Sequence, residues 1–272
     1  TVGVILVGKN NPRERLYLEN LGIHAETAEE LSYLILKYPP LFLEGFVGEA
    51  FFAFVERGAL QPALARELRG YRGENARSEE VLARFLARSG YASPRQQSMF
   101  LQDAKEHLAL PRERAELKRG DLFFSLRKYG KAVGAYERAL ADDKLDRASK
   151  SRLLDREGAA LANLFLSERA FDCFQEAYAL GRDRNTIKRM YFLAETETDE
   201  TLKARFRREL PEMRDSEKAR WEEQLREVTS RGATGREAKE VAAVFAEQDE
   251  TKRRAREEKI IAQWREEYRS MV

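Results

Sequence analysis

Residues 118–142 read KRGDLFFSLRKYGKAVGAYERALAD, and residues 156–180 read REGAALANLFLSERAFDCFQEAYAL. Both stretches carry the spacing Gly-x11-Ala-x3-aromatic-x2-Ala. Gly120, Ala132, Tyr136 and Ala139 occupy it in the first, and Gly158, Ala170, Phe174 and Ala177 in the second, 38 residues further on. A glycine inside a helix costs roughly 1 kcal/mol relative to alanine. Its recurrence in one register therefore predicts a neighbouring helix too close to admit a side chain. The four alanines serve the same approach from the second helix of each copy. Phe123, Tyr129, Tyr136, Leu140, Leu161, Phe165, Phe171, Phe174 and Tyr178 are expected to fill the space so left, large against small. Residues 126–129 and 166–169 read as the turns.

The pattern resembles the tetratricopeptide repeat, a helix-turn-helix unit of about 34 residues. The resemblance implies an α-solenoid that acts as a non-enzymatic scaffold or adaptor. In that family the first helix of each pair lines a concave side, which holds a peptide or helix of a partner protein. Register matching puts Arg114, Leu117, Asp121 and Phe124 on that side, then Arg152, Asp155, Ala159, Ala162 and Asn163 from the second copy. Lys188 and Arg189 follow from a third helix. Members that grip a chaperone's terminal carboxylate use a Lys and Asn combination. Leu117, Asp121 and Arg156 stand at those places here, so the implied ligand is an internal segment carrying both charges. The chain departs from the family in having Glu116 and Leu154 where an aromatic is usual, and Lys144 and Arg182 in place of a closing proline.

The 272 residues hold 49 basic and 47 acidic side chains, a net charge of +2. The sequence pI near 8.5 thus reflects a small excess and argues poorly for a nucleic-acid or membrane partner. One cysteine, Cys173, rules out an internal disulfide and a Cys-rich zinc site, and it reads as a small packed residue. His24 and His107 are the only histidines and have no partner spacing, so neither a metal nor a cofactor is expected. No run approaches the ~18 apolar residues of a membrane span, and the opening lacks the features of a secretory signal. A cytoplasmic protein is the expectation.

The amino-terminal unit, residues 1–110, reads as two short strands, at 2–7 and 16–24, followed by helices. Thr27 with Glu30 forms a capping box ahead of the first helix, whose face is Leu31, Leu34, Ile35 and Tyr38 before Pro39 and Pro40 end it. Helices are expected over 46–56, 61–69, 79–88 and from Ser93-Pro94 to Leu108. Gly3-x4-Gly8-Lys9-Asn10 approaches the phosphate-binding P-loop. Its intervening residues are strand-like, however, and Asn10 replaces the hydroxyl that would hold magnesium. Residues 2–9, 17–24 and 29–33 resemble the opening of uncharacterised bacterial proteins that carry tetratricopeptide repeats, a likeness that adds organisation and no chemistry. Residues 58–70, with Arg66, Arg69 and Arg72, have the outline of a DNA-binding helix-turn-helix. Pro62, Glu67 and Glu74 favour a core-packing hairpin instead.

After the repeats (111–210, including over 185–194 and 200–210 a degenerate third repeat or a capping pair), residues 211–272 read as long charged helices broken at 230–235. Lys252, Arg253, Arg254 and Arg256 form a basic cluster closely flanked by acids. Ile260, Ile261, Trp264, Tyr268 and Met271 line one helical face, a candidate surface for a homodimer or a protein partner, with packing on the body of the same chain as the alternative. The expected fold is mainly α: a small α+β unit, a repeat-built solenoid, then long helices. A nucleic-acid-contacting regulator is the alternative function and an enzyme the third, for which no motif argues.

Overall fold

The computed structural model describes residues 14–272; the strand expected at 2–7 and the P-loop-like stretch lie outside the described residues. The chain divides into two compact units, Thr1–Pro111 and Arg112–Val272. The described part of the first unit is mainly helical with one small sheet. The single strand expected over 16–24 is in fact a hairpin: β1 (Leu16–Leu18) pairs antiparallel with β2 (Ile23–Ala25), Tyr17 opposite His24. The turn closes through Gly22, at φ 68, whose N–H donates to the Leu18 carbonyl at 2.8 Å. Glycine adopts that left-handed conformation without steric cost, and this is what breaks the strand in two.

Thr27 Oγ1 accepts the Glu30 N–H at 3.1 Å and opens α1 (Ala28–Lys37). Glu30 reaches back one residue further than the expected box, taking the Glu26 N–H at 2.8 Å. A 3-10 turn over Pro39–Leu41 follows. Where an unbroken helix is expected over 46–56, α2 (Glu49–Ala53) widens into a π-turn over Phe54–Gly58. Gly58 allows this, because a β-carbon there would sit 2.2 Å from the Glu14 carbonyl oxygen. Helices α3 (Pro62–Gly73), α4 (Ser78–Arg88) and α5 (Pro94–Leu108) complete the unit. Its core holds Leu31, Ile35, Phe51, Phe54, Leu68, Val81 and Phe85, with Phe51 and Phe85 meeting edge to face at 5.4 Å.

The second unit is built from helix pairs. α6 (Arg112–Ser125) packs on α7 (Tyr129–Leu140), and α8 (Arg147–Asn163) on α9 (Ser167–Gly181). The two pairs repeat each other at the level of single atoms. Gly120 lies under the Tyr136 ring and Gly158 under the Phe174 ring, where an added β-carbon would meet ring carbons at 2.4 and 2.7 Å. Both turns use a left-handed residue, Arg127 (φ 58) and Phe165 (φ 59), and both end with a six-residue helix-closing bond. In these bonds Lys128 N–H donates to Phe123 O at 2.9 Å and Leu166 N–H to Leu161 O at 3.0 Å. This corrects two expectations. The second turn lies at 164–166, ahead of the expected 166–169, and Phe165 projects from it 81% exposed instead of filling the core.

α10 (Arg184–Thr196) and α11 (Glu200–Glu209) form the third pair, locked to the second by Phe171 stacked on Phe206 at 4.2 Å. α12 (Asp215–Thr234) lays Trp221 on Ile187 and Tyr191. The break expected at 230–235 falls at its far end, Gly235, ahead of α13 (Arg236–Ala246). The long helix expected beyond is broken again at 247–249, because the Asp249 carboxylate takes the N–H groups of Thr251 and Lys252 and so starts α14 (Glu250–Met271). α14 packs beside α13, and its tip returns to the first pair: Lys128 Nζ donates to the Ser270 carbonyl at 2.8 Å and Val272 lies on Gly130.

These contacts separate two glycines of one pair. Gly120→Ala forces a methyl into the Tyr136 ring and is expected to lower stability by about 1–3 kcal/mol. Gly134→Ala, which would meet only the Arg138 guanidinium at 3.5 Å, is expected to raise it by up to about 1 kcal/mol. Urea titrations followed by circular dichroism report both signs.

Candidate functional site

The first helices of the three pairs turn one side outward. On α6 that side carries Arg114, Leu117, Lys118, Asp121 and Phe124; on α8 Arg152, Asp155, Arg156, Ala159, Ala162 and Asn163; on α10 Lys188, Arg189 and Phe192. These positions recur at three and four residues, one helical face each. All are half-buried or exposed, whereas Gly120, Phe123, Leu153, Leu154, Gly158, Leu161, Ile187 and Met190 on the same helices are buried. The three faces are joined edge to edge by charge pairs. Asp121 Oδ1 accepts the Tyr136 hydroxyl at 2.8 Å and lies 3.7 Å from Arg156 Nε of the next first helix. Asp155 Oδ1 accepts from Thr186 Oγ1 at 2.9 Å and from Arg189 Nη1 at 2.6 Å, tying α8 to α10. Burial, and then the Asp121 charge, push the Tyr136 phenol far above its ordinary value, so it remains a hydrogen-bond donor at any physiological pH.

The eleven residues expected on a concave side are exposed or half-buried on α6, α8 and α10, and they differ in their partners. Asp121, Asp155 and Arg189 are braces between helices, and Asn163 Nδ2 is spent on the Ala159 carbonyl at 2.8 Å. Leu117, Phe124, Ala159 and Ala162 give an apolar and small floor. Lys188 sits over the Phe192 ring at 5.4 Å. Arg114, Lys118 and Arg152 are exposed and make no hydrogen bond or ion pair among the described residues. Sequence reading named Arg156 only at a carboxylate-gripping position and missed Lys118 and Phe192 as members of the face. The i, i+4 spacing from Arg114, Arg152 and Lys188 was the signal that could have found them.

The other basic stretches are compensated. In the basic cluster of α14, Arg253 pairs with Glu257, Arg254 with Glu250, Arg256 with Glu247 and Lys252 with Asp249. In the hairpin-like stretch 58–70, Leu64, Ala65 and Leu68 are buried and Arg69 bridges Glu49 and Glu56 at 2.6 and 2.7 Å; Arg72 donates to the Ala76 carbonyl. The face of α14 is unlike these: Ile260 and Met271 are half-covered, while Ile261, Trp264 and Tyr268 remain 43%, 46% and 42% exposed.

The histidines and the cysteine are not members of this face. His24 is exposed with its ring 5.0 Å from Tyr17, and His107 is buried in α5. The described residues bring together no group of three or more His, Cys, Asp or Glu suited to a metal ion, and none of their helices is long and apolar enough to cross a membrane. Burial, and then the neighbouring Glu157 carboxylate, push the Cys173 thiol up to about 12, which leaves it protonated and unreactive. No family model, curated protein or solved structure matches the chain.

Behind the face, Glu157 of α8 is buried without an ion pair. Desolvation first, then Glu137 and Glu176 against the opposing Arg169, raise its carboxyl from 4.5 to about 7. The native state keeps this proton up to about pH 7 whereas the unfolded chain releases it near 4.5, so the group's contribution to stability falls as pH rises through that window. Glu157→Gln is expected to raise stability at pH 8 by on the order of 2–3 kcal/mol and to change it little at pH 4.5. Paired urea titrations of the two proteins at both pH values measure the difference.

Proposed function

We propose that the chain is a protein-interaction scaffold of the tetratricopeptide-repeat type, which holds a peptide or helix of another protein across the outward faces of α6, α8 and α10. The observation that carries this reading is the repetition itself. Two helix pairs share their glycine–ring contact and their turn backbone, and the third pair follows on. Each pair sets its first helix beside the next, and the interhelix braces Asp121–Arg156 and Asp155–Arg189 hold the three at fixed spacing. Such a surface offers length rather than depth, which suits an extended segment better than a small substrate. A cytoplasmic setting accords with a lone, unpaired cysteine.

Selection from a random peptide display library on the full chain tests the reading. Enriched peptides are expected to bind the wild type and to lose at least about tenfold in affinity to Ala159→Trp, which fills the floor of the middle helix. A selection in which no enriched peptide responds to that substitution would overturn it.

A second attachment is favoured by one observation, the open Ile261, Trp264 and Tyr268 stripe of α14. Large side chains aligned in this way favour burial, each worth on the order of 1.5–3 kcal/mol when fully covered. We infer that a second copy of the chain covers them. Light scattering is expected to return a dimer mass for the wild type and a monomer mass for Trp264→Asp with unchanged circular dichroism; the same mass for both would remove the stripe from the interface.

A further inference from the structure

We infer that the segment held on the first-helix face is acidic, a stretch of chain that presents several Asp or Glu carboxylates; this rests on the scaffold reading above. The face contains six cations, Arg114, Lys118, Arg152, Arg156, Lys188 and Arg189, and two carboxylates at its centre, Asp121 and Asp155. Both carboxylates are consumed internally. Asp121 holds the Tyr136 hydroxyl and Arg156, and Asp155 holds Thr186 and Arg189. After those pairings four cations remain, Arg114 and Lys118 on α6, Arg152 on α8 and Lys188 on α10, with no anion of the face left to pair with them; Arg152 feels only the more distant Asp146 carboxylate that caps its own helix.

A sequence-level count of the expected contact residues includes both signs and suggests a ligand of both signs. The geometry removes the negative half from that count. On α12–α14 many cations have a carboxylate on their own or the adjoining helix, Arg226 with Glu223, Arg231 with Glu227, Arg236 with Glu240 and Arg254 with Glu250, so the two surfaces differ in degree and in the apolar floor that separates the cations of the first-helix face.

The chemistry favours a peptide over a nucleic acid. Phosphate-backbone binding needs dense, uninterrupted positive charge. Here Asp121 and Asp155 lie in the middle of the strip, and the ground between the cations is apolar or small: Leu117, Phe124, Ala159 and Phe192. A peptide can place carboxylates on the cations and apolar side chains between them. Arg114 and Lys118 stand one helical turn apart, a rise of about 6 Å, close to the spacing of alternate residues in an extended chain. Alternating acidic and apolar residues would meet both requirements.

The same display selection, run at low salt, tests the inference with a charge-reversed double variant, Arg152→Glu with Lys188→Glu. The control is Lys144→Glu with Arg226→Glu, which makes the same change in net charge away from the face. Enriched peptides that respond to Ala159→Trp are expected to be net negative, and to weaken at least about tenfold with the face variant, less than about twofold with the control, and progressively with added salt. If the Ala159→Trp-sensitive peptides are neutral or basic, or if the control weakens them equally, the acidic assignment is overturned while the scaffold stands. If no enriched peptide is sensitive to Ala159→Trp, the scaffold reading itself fails. Oligothymidylate bound more tightly than the selected peptides, and lost in the face variant, would reassign the surface to nucleic acid and overturn the proposal.

Discussion

Two aromatic rings packed against two glycines set the architecture of the helix pairs in the second unit. Tyr136 occupies the volume that a side chain at Gly120 would need, and Phe174 does the same over Gly158. Each contact lets the two helices of a pair approach closely, and the alanines facing them, Ala132, Ala139, Ala170 and Ala177, are buried to within a few per cent. Because packed helices meet in discrete ridge-and-groove arrangements, fixing one close contact fixes the interhelix geometry of the pair. The step from pair to pair is set where α7 packs on α8 and where Asp121–Arg156 and Asp155–Arg189 join the first helices.

The rest of the unit follows from that step. The stack has to end somewhere, and its last repeated helix would present an apolar side to water. Phe206 of α11 stacks on Phe171, and Trp221 of α12 covers Ile187 and Tyr191. The cover then becomes increasingly polar: α13 buries only Val244, and α14 buries no residue at all. Capping elements of repeat stacks carry this gradient because they must be apolar on one side and solvated on the other. Many of the charges on the covering helices sit in local pairs worth little individually, such as Arg231 with Glu227 and Arg236 with Glu240.

Much of the fold was legible because it rests on residue size. Gly120, Gly158 and their alanine partners are visible as spacing, and spacing survives translation into structure. Ser93-Pro94 with Gln96 fixed a helix start for the same reason, since its side-chain bonds are local. What remained hidden depended on backbone conformation or on distant partners. Phe165 counts as core by hydropathy, but its turn needs a left-handed residue and that takes its side chain out of the packing. The widening of α2 at Phe54–Gly58 answers to the Glu14 carbonyl, more than forty residues away in sequence. The second break in the carboxyl-terminal helices depends on whether Asp249 caps a helix or simply decorates one, and composition reads the same either way.

The exposure of the candidate residues was legible in the sequence and their pairing was not, and this difference bears on what kind of surface they make. Register placed Asp121 and Asp155 where a ligand would be read, yet both face sideways, toward the neighbouring first helix. A carboxylate that already accepts from a hydroxyl and a guanidinium has little left to offer a ligand, and withdrawing it would leave Arg156 or Arg189 without its partner. Asp155 therefore serves the surface by holding α8 and α10 at a fixed distance. The cations left over acquire fixed spacing from those braces, and under the proposal of an acidic ligand that spacing is what would let positive charge favour one sequence of carboxylates over another.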